Sequence, residues 1–247
     1  MAKQVTLFAG VFYILFVSFL PEFGALSPAL IGNTFFIIAL GELFDSYKKY
    51  SSAAKIFNVG FSLSLASLFY FPFIYYFFFG FISLGILRSF RLKERLILLI
   101  GFLAPYFLLS VYYFWFDRLG EFWQVHFLNN VSFFSFEWNM TLETIAKLSF
   151  FFLSTLVCIF SYRLYRLKKD IQVQKNLDIL FWGLFFGGIS FLFQANVSID
   201  HLLLLAPSLA IFISFNFLEL PRSWAETIHL LLVIGALFWQ YKILLPI

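Results

Sequence analysis

From residue 5 to residue 245 the chain repeats one pattern: a continuously apolar run, then a short polar stretch. The runs cover roughly 5–20, 28–44, 57–71, 73–87, 96–116, 144–161, 179–195, 201–217 and 228–245. Most approach the ~20 residues that a helix needs to cross a hydrocarbon layer of ~30 Å. In lipid every backbone N–H and C=O has to be satisfied by the protein itself, which leaves helices or closed barrels. Barrel strands alternate apolar and polar residues, and these runs do not. The expected fold is therefore all-α, a polytopic integral membrane protein of about nine hydrophobic segments forming a single transmembrane domain over 1–247. Composition excludes a soluble domain: only 12% of residues are charged, about half the usual share. Residues 7–20 look like the core of a signal peptide, but Pro21-Glu22-Phe23 is a poor cleavage site, so a first spanning helix is expected there. The lone cysteine, Cys158, forms no intrachain disulfide and leaves the redox compartment open.

Charge orients the segments. Starting with Lys3 on the cytoplasmic side, the stretches 45–56, 88–95, 162–178 and 218–227 also fall inside, while 21–27, 117–143, 196–200 and the C-terminus fall outside. Of the 17 basic residues, only Arg118, Lys147 and Lys242 are not on the inside. The positive-inside rule predicts this bias, and the inverse orientation would reverse it. The net charge of +4 is thereby explained by topology, with no nucleic acid implied.

Residues 57–87 lie between Lys55 and Arg88, both assigned inside, so this stretch enters the membrane and returns. About thirty residues are too few for two full crossings. Pro72 in "LFYFPFIYYFF" supplies a break, since proline lacks a backbone donor and clashes with the preceding turn. The expectation is a short broken helix pair meeting at Pro72, its non-helical backbone shielded by other helices. Gly60, Ser64 and Ser67 share a face of the first short helix as small residues that admit a neighbour. Gly183 and Gly187 in "WGLFFGG" have the four-residue spacing of a close helix crossing.

The longest polar stretch, 117–143, is an outer interfacial loop rich in aromatics, including Trp123 and Trp138. Leu119, Phe122, Trp123, His126 and Phe127 have helical spacing, which predicts an amphipathic helix over 117–129. Trp123 and Trp138 are the expected anchors for headgroups or partners.

Standard catalytic signatures are absent: no glycine-rich phosphate loop, no HExxH, no paired cysteines and no GxSxG. The histidines at 126, 201 and 229 do not have metal-ligand spacing, so no metal is expected. Polar residues with chemical potential converge on the outer face: Glu22, Asp117, Arg118, Glu121, His126, Asn196, Asp200 and His201. A carboxylate beside a histidine can act as base and orienter. The simpler reading of "SIDHLLLLAPSLAIF" is that Ser198 or Asp200 caps a helix beginning near His201, with Pro207 near its middle. Both readings stay open. Asn130, Asn139 and Asn196 fit the glycosylation acceptor pattern on the outer side, without consequence in a bacterium. Asn33, Glu42, Asn58, Gln194, Asn216 and Glu219 are the polar positions within the runs. With no chain of buried charges across the midplane, a proton pump or channel is not expected.

Residues 55–116, "KIFNVGFSLSLASLFYFPFIYYFFFGFISLGILRSFRLKERLILLIGFLAPYFLLSVYYFWF", resemble an uncharacterised Phe-rich inner-membrane protein family of Bacteroidetes, for which no activity is implied. "GFSLSLASLFYFP" (Gly60 to Pro72) and "DHLLLLAPSLAIFIS" (Asp200 to Ser214) also resemble the membrane core of GT-C glycosyltransferases. That likeness implies a polyprenyl-phosphate-linked substrate at the outer face, with Glu22 or Asp200 as base and Arg118 and His201 holding phosphate. GT-C enzymes place their carboxylates in a large first outer loop. Here that loop is "PEFGALSP", and only Glu22 stands in.

Three functions follow as expectations. The first is a non-catalytic subunit or scaffold of a cell-envelope complex in the bacterial inner membrane, N-terminus cytoplasmic and C-terminus periplasmic. It would hold other membrane proteins through the aromatic loop and small-residue faces. The second is the GT-C-like transferase, and the third a small-molecule transporter. No cofactor is expected beyond a bound lipid or polyprenyl phosphate.

Overall fold

The computed structural model describes residues 8–18, 26–47, 52–133, 141–168, 170–195 and 197–241. Among them there is no β-strand, and ten α-helices cover parts of the apolar runs and of the 117–143 stretch. They are α1 (Phe8–Ser18), α2 (Pro28–Asp45), α3 (Ala53–Phe69), α4 (Tyr76–Leu87), α5 (Leu92–Trp115), α6 (Leu119–His126), α7 (Leu142–Lys168), α8 (Ile171–Phe193), α9 (Ala206–Glu219) and α10 (Arg222–Tyr241). Short 3-10 segments lie at Phe71–Tyr75, Leu128–Asn130 and Ile199–Leu204. Four helices are long and apolar enough to cross a membrane, over Pro28–Asp45, Leu92–Trp115, Thr144–Arg163 and Ile171–Phe193. The other apolar helical spans, among them Ser223–Phe238 within α10, run 10–17 residues.

The chain forms two compact units: residues 1–27, 139–177 and 205–247, and residues 28–138 and 178–204. In the first, aromatic side chains do the packing. Phe12 meets Phe217 with ring centroids 4.5 Å apart, and Phe16 wedges against Phe150 and Phe151. These residues and their neighbours leave a cavity of about 500 Å³ whose lining is apolar apart from Ser154 and Asn216.

The second unit is built on the close approach of α3 and α5. A Cβ on Gly60 would collide with the backbone carbonyl of Leu98, and one on Gly101 with that of Phe57. Each glycine therefore exists to let the other helix's backbone in. Gly60 of α3 and Gly101 of α5 are the two glycines of this crossing. Pro105 follows Gly101 by four residues, so its missing N–H leaves the Gly101 carbonyl without its helical bond at that crossing.

The break at Pro72 is a buried turn. Pro72 occupies the first turn of the 3-10 segment Phe71–Tyr75, where a missing donor costs nothing. Phe71, Pro72 and Phe73 are buried, and Phe73 lies against Gly32 of α2, where a Cβ would come within 2.6 Å of its ring. Phe36 of α2 packs on Phe73, Tyr76 and Phe79, each such aromatic pair adding about 1 kcal/mol beyond its buried area. The Tyr76 hydroxyl is fully buried and reaches the carbonyls of Gly183 and Leu204, both at 3.2 Å.

This unit has two chemically different ends. At the first, Lys55 bonds Asp45 at 2.7 Å, and Arg88 grips Glu94 through two contacts of 3.0 and 3.1 Å. Arg88 also donates to the Ser46 carbonyl at 2.8 Å. Arg95 is buried there, donating to the Phe81 carbonyl and lying 4.6 Å from that ring's centre. At the other end α3 terminates at Tyr70, and α6, the end of α8 and the Ile199–Leu204 turn gather around it. Arginine and carboxylate hold the first end, histidine and tyrosine the second.

Two expectations change. The helix expected to begin near His201 is instead a 3-10 segment over Ile199–Leu204 followed by α9 from Ala206. The Asp200 and Ser198 side chains therefore cap no long helix, and the α9 N-terminus has no side-chain cap. Pro207 belongs to the first turn of α9, where proline is pre-organised rather than bending. The amphipathic helix expected over 117–129 is only Leu119–His126. Its start is set by the end of α5, where Asp117 adopts a left-handed conformation (φ 59°). Asp117 N–H bonds the Phe114 carbonyl at 3.1 Å and Arg118 N–H the Tyr113 carbonyl at 2.9 Å. These two bonds close a Schellman-type end, so Asp117 serves as a backbone stop.

Candidate functional site

The Tyr70 end carries two histidines, each on a chain of serine and tyrosine hydroxyls. The last two turns of α3 supply both chains, through Ser64, Ser67 and Tyr70.

The first chain centres on His201, which is fully buried. Ser190 Oγ donates to the Gly187 carbonyl at 2.7 Å, which uses its only proton. The 2.8 Å contact between Ser190 Oγ and His201 Nε2 is therefore donated by the imidazole. That leaves Nδ1 as acceptor for the Tyr70 hydroxyl, at 3.2 Å. Ser198 and the Asp200 carboxylate lie close to the Tyr70 hydroxyl. The Phe191 ring closes over the imidazole at 4.1 Å. Both ring nitrogens of His201 are thus engaged as a neutral imidazole, with no surface left open.

The second chain ends at His126 of α6. Ser67 Oγ donates to the Ser64 carbonyl at 2.7 Å, so the 2.7 Å contact between Ser67 and Tyr106 is donated by the tyrosine. The Tyr106 oxygen then accepts from His126 Nε2 at 3.4 Å, a long bond that makes Nε2 the protonated nitrogen. Phe122 stacks on the imidazole at 5.5 Å and 9°, and Phe71 meets it edge-on at 5.6 Å. Partial burial holds the His126 pKa below the usual histidine range. Its Nδ1 has no hydrogen-bond partner among the described residues. His126 lines a small pocket of about 210 Å³ with Glu121, Tyr113, Leu68, Leu109 and Phe122.

The segment that carries His126 is fixed to the end of α8. Ser132 N–H bonds the Phe193 carbonyl at 3.3 Å, and Ala195 N–H the Asn130 carbonyl at 2.9 Å. Asn130 also donates to the carbonyls of Val125 and His126, both at 3.0 Å, so this amide is a loop staple.

The residues singled out from sequence divide between these chains. His201 belongs to the first, with Asp200 beside it. Arg118 belongs to the second region, where it pairs with Glu121 at 3.6 Å in water; exposed pairs of this kind contribute little to stability. Gly183 and Gly187 are buried, and their carbonyls receive Tyr76 and Ser190. Ser64 is buried and supplies the carbonyl under Ser67. Trp123 is 56% exposed and packs at a tilt on Phe127, with ring centroids 4.7 Å apart. Glu22 and Trp138 lie outside the described residues. Among the described residues no three His, Cys, Asp or Glu side chains gather as metal ligands.

Sequence reasoning passed over Tyr70, Tyr106 and Ser190, which look like ordinary aromatic and small residues in apolar runs. Lys147 of α7, set apart in the sequence only by its charge, is buried at 2% exposure. A lysine inside the 144–161 run was the available signal.

No family model, curated protein or solved structure matches the chain.

Proposed function

We propose that this chain is a non-catalytic, multi-pass subunit or scaffold of a membrane complex in the bacterial inner membrane. The observation that carries the reading is His201. The strongest acid–base candidate of the outer face is sealed, with both nitrogens engaged and Phe191 over the ring. A group in that state ties helices together and is not poised to accept a substrate proton.

The two ends of the 28–138 and 178–204 unit support the orientation. Lys55, Arg88 and Arg95 lie at the end assigned to the cytoplasm, and the aromatic, histidine-bearing end is assigned to the outer interface. The N-terminus is then cytoplasmic and the C-terminus periplasmic. In this reading the exposed aromatics of α6 face partners or lipid.

Gentle extraction of the full chain from its native membrane, followed by mass spectrometry of what co-purifies, tests the proposal. A stoichiometric set of membrane proteins is the expected result. A lone chain carrying a polyprenyl phosphate would overturn it in favour of the transferase suggested by the GT-C likeness. Asp200→Asn separates the two again, since a transferase loses turnover and a scaffold keeps its partners. Orientation has its own check: a cysteine placed at Glu121 is expected to label from outside and one at Lys168 is not.

A further inference from the structure

The pocket beside His126 presents an unusual combination for a place so close to apolar surface. Two residues that line this small pocket carry hydrogen-bond acceptors: Glu121 its carboxylate, and His126 an imidazole whose Nε2 proton is committed to Tyr106 and whose Nδ1 is therefore a lone pair. The walls are Leu68, Leu109, Phe122 and Val125. One cation, Arg118, stands 3.6 Å from Glu121 at the rim, with both side chains more than half exposed and so able to exchange partners. Next to the pocket residues Leu109 and Tyr113 in sequence, α5 exposes Leu108, Val111 and Tyr112 at helical spacing, on a helix long enough to cross a membrane.

These features describe one kind of ligand. It has an anionic group for Arg118, a hydrogen-bond-donating cation for Glu121 and His126 Nδ1, and a hydrocarbon tail for the face of α5. We infer that this pocket is a headgroup site for an aminophospholipid, a phosphatidylethanolamine held by its primary ammonium at Glu121 and His126 and by its phosphate at Arg118. Its phosphate and ammonium are two carbons apart, which suits a cation and an acceptor on neighbouring turns of α6. Phosphatidylcholine carries the same charges, but its quaternary ammonium donates no hydrogen bond. Phosphatidylglycerol has the phosphate and no cation. The site thus selects by donated hydrogen bonds, which Nδ1 and the carboxylate alone read.

The inference rests on α6 lying at the membrane interface and is independent of whether the chain is a scaffold. The full chain is reconstituted in nanodiscs of equal parts phosphatidylethanolamine, phosphatidylcholine and phosphatidylglycerol, then released into mild detergent, and the retained lipid is measured by native mass spectrometry. The expected result is about fivefold retention of phosphatidylethanolamine over phosphatidylcholine, the size of one partly solvated charge-assisted hydrogen bond. In Glu121→Gln and in His126→Phe the ratio is expected to fall to about one. Glu121 is exposed, so Glu121→Gln decides the matter even if His126→Phe fails to fold. Equal retention of the two zwitterionic lipids by the unaltered chain, a preference for phosphatidylglycerol, or selectivity that survives Glu121→Gln would overturn the inference. Failure of the chain to fractionate with membranes would instead sink the interfacial placement.

Discussion

His201 and His126 sit at the same end of one helical unit, and each ends a chain of hydroxyls that starts from the last turns of α3. His201 has both nitrogens bonded and is fully buried. His126 has one long bond, at 3.4 Å, and borders an open pocket with Glu121. The residue types are nearly identical, so the difference is one of enclosure. A histidine whose donor and acceptor are both used inside the protein is a fastener. One with a free lone pair on a half-wet surface is available to something from outside.

The comparison breaks most completely through the helix that serves both chains. Gly60→Val drives a side chain into the Leu98 carbonyl and displaces α3, which carries Ser67 and Tyr70. A loss of about 3 kcal/mol or more is expected, read as the shift in the midpoint of detergent-induced unfolding. Both histidine environments would be lost together. A more selective change separates them: His201→Ala opens a cavity and leaves the Tyr70 hydroxyl proton without its acceptor, costing about 2 kcal/mol. His126→Ala, at a part-exposed site with one weak bond, is expected to cost about 1 kcal/mol in the same assay. Equal costs would refute the distinction between fastener and open site.

Acid offers a finer test. Burial depresses the His126 pKa, so the unfolded chain takes up a proton before the folded one does. The stability tied to neutral His126 is complete above about pH 6.5, the unfolded value, and is lost as pH falls below it. The unfolding midpoint of the unaltered chain is therefore expected to drop between pH 7.5 and 5.5 by more than that of His126→Asn. An identical drop in both would show that the imidazole is not desolvated. The smallest expected effect is Arg118→Ala, within about 0.5 kcal/mol, because its pair with Glu121 is exposed.

Much of the fold could be read along the chain because its causes are local. Pro72 cannot continue a helix, and a turn stands there. The apolar runs have to satisfy their own backbone, and each carries helix. Gly60 was legible as a small residue on a helical face, but not the identity of its counterpart, Gly101. Where local signals were ambiguous the structure corrected them. The Asp200–His201 pair suggested a helix start, yet α9 begins at Ala206, because residues 199–204 are held in a tighter turn in which His201 is already committed to Ser190 and Tyr70. Asp117 was expected to open the amphipathic helix over 117–129 and is a left-handed stop.

The amino-acid order by itself determined the helical class, the position of the break at Pro72 and the uneven distribution of basic residues. Those properties depend on composition and on neighbours within a turn or two. Tertiary structure alone decided what the histidines are. Ser67, Tyr106 and His126 are separated by 39 and 20 positions, and Tyr70 and His201 by 131. A tyrosine in an apolar run reads as another aromatic until a distant helix brings a proton donor or acceptor to its hydroxyl. Hydrogen-bond direction, and with it the choice between a sealed and an open imidazole, exists only once those partners meet.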